Sequence, residues 1–130
     1  MLLVIIGGNQ SVNLAVEEHL SEHFGFDLYI IRPDTELTET DQKNLYRAGC
    51  VIIDLTSSIN NSRLFIREIR QLSPKSGVIV LHIYQDKALI EPLIKAGAKG
   101  YLLIDAVNTR LKEAVGKVMS GEKYVVVENE

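Results

Sequence analysis

The sequence is short of several things, and each shortage excludes something. It has one cysteine, three prolines and no tryptophan, and aromatic residues make up 6% of its 130 positions. A single cysteine excludes an internal disulfide and suits a reducing cytoplasm. Because Cys50 enters an apolar run, it reads as a small core filler rather than a reactive thiol. The prolines are scattered, and no repeat or low-complexity tract marks a linker, so a chain of this length is expected to be one domain. The apolar run Met1–Ile6 is six residues, against about 20 for a membrane span. It lacks a basic flank and a small-residue cleavage site, so it reads as a first strand and not a signal peptide. Excess positive charge is missing too. A formal net charge of −3 gives no reason to expect nucleic-acid binding or a membrane surface.

What is present is an ordinary globular composition, 46% hydrophobic and 24% charged. The charge is unevenly spread. Residues 1–60 carry nine acids and three bases, and residues 61–130 carry eight acids and eleven bases. Such polarity favours association of an acidic with a basic face, although charge runs are more often solvated surface.

Short aliphatic runs bounded by Gly, Pro, Asp or Ser predict buried strands over Leu2–Ile6, Leu28–Ile31, Val51–Asp54, Val78–His82 and Gly100–Leu103. Helical periodicity lies between them. Val12, Ala15, Val16, Leu20 and Phe24 make one stripe; Phe65, Ile66, Ile69 and Leu72 make another, with Arg63, Arg67 and Arg70 on a different face. Leu111, Ala114, Val115, Val118 and Met119 make the last, with Asn108 as its expected N-cap and Gly121 just past its end. Thr38–Ala48 is polar and poorly periodic, so a short or irregular helix is expected there. Pro92 falls inside Asp86–Ala96; a proline is tolerated in the first helical turn, which predicts a short helix starting near Glu91. Alternating strands and helices imply right-handed crossovers. The fold class is α/β, a flavodoxin-like three-layer sandwich with a five-stranded parallel sheet and helices on both faces.

Ala96-Gly97-Ala98-Lys99-Gly100-Tyr101-Leu102-Leu103, followed by Leu111, Ala114, Val118, Gly121 and Tyr124 at fixed spacing, resembles the response-regulator receiver domains of two-component signalling, particularly those of LuxR-type regulators. The resemblance covers residues 2–124; residues 125–130 are expected to be a tail or the start of a linker to a DNA-binding domain. It implies that Asp54 stands at the phosphoacceptor position. It also implies that the two acids which hold Mg²⁺ in the family are replaced by Gly7 and Gly8. The strand-end Thr or Ser becomes His82, and the lysine that pairs with phosphoryl oxygens becomes Ile104. After Asp54 the family's methionine and proline are Ser57 and Ser58. Tyr101 matches the family's switch aromatic.

Mg²⁺ favours octahedral oxygen coordination and is poorly held by one carboxylate. The lost lysine removes a cation from the developing charge. The expectation is therefore a degenerate receiver domain without enzymatic activity or cofactor, in which Mg²⁺ binding is weak or absent. It would act in the cytoplasm through protein partners, a signalling kinase or output domain, and through homodimerisation. Two alternatives stand beside it. One is a genuine phosphoacceptor whose metal ligands include Asn9 or main-chain oxygens. The other is a small-anion site at the Gly7–Ser11 turn, a feature more often a plain tight turn. An imidazolium–carboxylate contact between His82 and Asp54 would supply part of the missing charge; otherwise His82 is a partly exposed residue without a partner. His19 and His23 lie one helical turn apart but lack a third ligand and read as surface or boundary residues. Ser57 and Ser58 have no base to make a hydrolase.

Overall fold

A computed structural model of the chain describes residues 1–56, 59 and 61–125. Six strands form one parallel sheet: β1 (Leu2–Ile6), β2 (Asp27–Ile31), β3 (Cys50–Asp54), β4 (Gly77–His82), β5 (Gly100–Leu103) and β6 (Tyr124–Val125), in the order β2-β1-β3-β4-β5-β6. Between them run α1 (Gln10–Ser21), α2 (Glu39–Arg47), α3 (Ser62–Leu72), α4 (Lys87–Lys95) and α5 (Val107–Met119). The five expected strands are there, and the sixth corrects the expected count. It pairs Gly100 with Tyr124 and Tyr101 with Val125, so the sheet reaches into the segment expected to be tail. Val126–Glu130, Ser57 and Ser58 lie outside the described residues.

The pleat sends alternate side chains to opposite faces, and each face has its own core. Leu3, Ile5, Cys50, Ile52, Ile79 and Leu81 meet α1 and α5. Val4, Ile6, Val51, Ile53, Val78, Val80 and Tyr101 meet α2, α3 and α4. Cys50 is a buried filler, and burial pushes its thiol up to about 12.

Four helical details depart from expectation. First, α2 is short as expected, nine residues, but regular, because Thr38 and Asp41 form a reciprocal capping box that supplies what periodicity lacks. Second, α4 begins at Lys87, capped by Asp86, and carries Pro92 in its interior. Third, a 3-10 turn, Ile104–Ala106, leads into α5, so Asn108 lies within the first turn and Ala106 holds the cap position. Fourth, Met119 is 46% exposed and leaves the apolar stripe. Gly121 does close α5 as expected, at φ +87, where a glycine costs least.

Candidate functional site

The strand order reverses between β1 and β3, and the crevice outside their carboxyl ends is where open α/β sheets place ligands. Gly7 follows β1 and Asp54 ends β3 at that point. Asp54 is fully buried. Its Oδ1 accepts from the Thr56 amide at 2.9 Å and the Thr56 hydroxyl at 2.5 Å, a turn that brings Thr56 back onto the carboxylate.

The Gly7 amide donates to the carbonyl of Ile31 at 3.1 Å, and its own carbonyl accepts from Asn13 Nδ2 at 3.0 Å. Space at Gly7 is scarce. A Cβ there would lie 2.7 Å from Asn13 Oδ1, 3.2 Å from Asp54 Cβ and 3.6 Å from Asp54 Oδ2. Beside the one carboxylate, the β1 end offers glycines, one of whose carbonyls is already engaged by an amide. Among the described residues no group of three or more His, Cys, Asp or Glu is placed to hold a metal.

Asn9 is no better placed as a ligand, since its Oδ1 accepts from the Ser11 and Val12 amides at 3.0 and 3.2 Å and caps α1. The same cap weakens the Gly7–Ser11 turn as an anion site, because two of the amides that would face an anion are already satisfied.

His82 and Asp54 do not pair, and the register explains it. Asp54 stands opposite Leu81, so His82 is one residue further along and on the other face, with Val78 and Val80. Nor is it partly exposed. The imidazole is buried; Nδ1 accepts from the Tyr84 amide at 3.1 Å, the ring stacks on Tyr84, and Nε2 has no hydrogen-bond partner among the described residues. Burial holds its pKa below the ordinary histidine value.

Tyr101 is buried on that same face and donates to the Leu93 carbonyl in the last turn of α4. Burial raises its phenol pKa, so it remains a donor through the neutral range. Ile104 opens the 3-10 turn half-buried against the α1/α5 core. His19 and His23 meet edge to face and join no metal cluster among the described residues.

Sequence reasoning missed Asn13 and Thr56. Asn13 had a signal, since it shares the buried stripe of α1 with Val16 and Leu20 while Leu14 is exposed. Thr56 had only its place two residues after Asp54, where a hydroxyl can turn back on the carboxylate.

No family model matches the chain. It is 30% identical over 101 residues to the oxygen regulatory protein NreC of Staphylococcus epidermidis, an overlap of 76% of this chain and 46% of that protein. It is 28% identical over 123 residues to the transcriptional regulatory protein DegU of Brevibacillus brevis, covering 95% of this chain and 52% of that one. The chain thus spans about half the length of these curated relatives. Among solved structures, the isolated REC domain of RcsB from Salmonella enterica serovar Typhimurium superposes with a TM-score of 0.79 at 20% identity, covering 97% of this chain and 92% of that one.

Proposed function

From the premise that this chain is a response-regulator receiver domain of the LuxR-type subgroup, we propose that it works in bacterial signal transduction by binding protein partners, without Mg²⁺-dependent phosphorylation of Asp54 and without catalysis of its own. The observation that carries this reading is the closed surrounding of Asp54. Its carboxylate is buried and hydrogen-bonded to Thr56, and a Cβ at Gly7 would lie 3.6 Å from its Oδ2. The position where the family resemblance expects a lysine is the aliphatic Ile104. Phosphoryl transfer to a carboxylate depends on positioned charge, from metal and cation, at the developing oxyanions. None of the residues carried over from the resemblance supplies it.

The surface is suited to partners. Ile83 and Leu89, beside and on α4, are 62% and 54% exposed, and Leu64 on α3 is 55% exposed. A groove of about 450 Å³ between α3 and α4 is lined by Arg63, Arg67, Glu91, Pro92 and Lys95, and its cations favour an acidic partner. A second copy of the chain, a signalling kinase or an output domain fits this role, in the cytoplasm. Among the described residues no helix is long and apolar enough to cross a membrane.

The test is chemical. Incubation with a small phosphodonor and Mg²⁺, followed by intact-mass and peptide mass spectrometry, is expected to give unmodified Asp54. An acyl phosphate on Asp54 would overturn the reading.

A further inference from the structure

Deepening that reading of the Asp54 site, we infer that Asn13 is an internal plug: its carboxamide fills the space beside Asp54 that a side chain projecting from the end of β1 would need. The geometry has three parts. Asn13 lies on the inward stripe of α1 and is 7% exposed, so its amide is held inside the molecule. Nδ2 donates to the Gly7 carbonyl at 3.0 Å, which fixes the amide against the β1 end. Oδ1 is buried without a hydrogen-bond partner among the described residues and lies 2.7 Å from where a Gly7 Cβ would stand.

A buried polar group without a partner is costly, and in native proteins it calls for a reason. Here the reason is position. Asn13 holds the Gly7 carbonyl at the strand end, and its other atom takes the space that a Gly7 side chain would enter beside Asp54. Gly7 and Asn13 are therefore a matched pair. Gly7 has no positive φ, so it is contact with Asn13, rather than backbone conformation, that favours glycine there. The contact with Asn13 is closer than real Cβ atoms tolerate, whereas the 3.2 Å contact to Asp54 Cβ is merely tight.

It follows that writing acids back into positions 7 and 8 does not rebuild a metal site while Asn13 remains. The space opens when Asn13 is shortened, whereas turning its amide aside gives up the hydrogen bond to the Gly7 carbonyl.

Two measurements test this on the chain as it exists. In a double-mutant cycle by urea unfolding, Gly7→Ala should lower the folding equilibrium constant by about tenfold in the parent and by less than about threefold beside Asn13→Ala. Equal losses in both backgrounds would overturn the plug. In the second, thermal unfolding is followed with MgCl₂ against NaCl of matched ionic strength. Gly7→Asp/Gly8→Asp should show no Mg²⁺-dependent stabilisation, and adding Asn13→Ala should produce it. A shift of the same size without Asn13→Ala, or none with it, would count against the inference. If the acid variants fail to fold, the alanine cycle decides. An Mg²⁺ shift in the parent chain would contradict the proposed function instead, and would leave the coupling in the cycle untouched.

Discussion

The hydroxyl of Tyr101 on β5 donates to the carbonyl of Leu93 on α4, tying the last turn of that helix to the sheet. The Leu93 carbonyl also accepts from the Ala96 amide at 3.1 Å, so it keeps one partner if the phenol is lost. Tyr101→Phe is therefore expected to cost about 1 kcal/mol, the net worth of one hydrogen bond. The loss should be local. Hydrogen exchange at Ala96 and Gly97 is expected to quicken, and unchanged protection there would show that the contact holds nothing.

His82 predicts how stability responds to acid. Its imidazole is buried, and its folded-state pKa lies below 6.5. As pH falls through 6.5 the unfolded chain takes up a proton that the folded chain resists, so stability drops, and it levels off only below the folded-state pKa. Chemical unfolding at several values between pH 7 and 5 should show this decline in the parent and a flatter profile in His82→Leu. An identical slope in both would remove His82 from the account.

The α2 cap predicts a second acid effect at lower pH. Burial alone would raise the pKa of Asp41, but hydrogen bonds from the Tyr29 hydroxyl at 2.5 Å and the Thr38 amide at 2.9 Å outweigh it and hold the carboxyl below 3.8. The stability this gives is present above pH 3.8 and disappears as pH falls through the depressed folded-state value. At neutral pH, Thr38→Ala should cost about 1 kcal/mol, measured as a shift in the denaturation midpoint with unchanged slope.

Pro92 stands in the interior of α4, where it has no N–H for the Ala88 carbonyl and its ring crowds that turn. It is exposed, so little packing depends on the ring. Pro92→Ala should stabilise the domain by about 1–3 kcal/mol. A loss of stability would mean that the proline ring makes a contribution that helix geometry alone does not reveal.

Much of the fold was legible because parallel strands buried on both faces leave near-continuous aliphatic runs. Leu2–Ile6 and Gly100–Leu103 lie where those runs placed them. What escaped reading depended on single contacts. The regularity of α2 comes from the Thr38–Asp41 box rather than periodicity. A two-residue strand such as Tyr124–Val125 is too short for any pattern and exists because β5 presents an open edge. The start of α4 followed Asp86, whose carboxylate accepts from the Ala88 amide at 2.9 Å, and outweighed the proline.

The site divides in the same way. Asp54, Gly7 and Ile104 could be placed by their positions at strand ends. The relation of His82 to Asp54 could not, because a one-residue offset in register decides which face a side chain takes. Asn13 was hidden for another reason. Its role is a contact between a helix and the residue after a strand, six positions apart in sequence, and only the packed structure brings the two together.

The central claim is that Asp54 sits in a closed site that does not take up a phosphoryl group with Mg²⁺. The most direct measurement is an amide NMR titration with beryllofluoride, a phosphoryl mimic, with and without Mg²⁺. The account predicts that the resonances of Asp54, Gly7, His82 and Tyr101 stay in place under both conditions. Shifts around Asp54 that require Mg²⁺ and spread to Tyr101 would contradict it and make this chain a working phosphorylation switch.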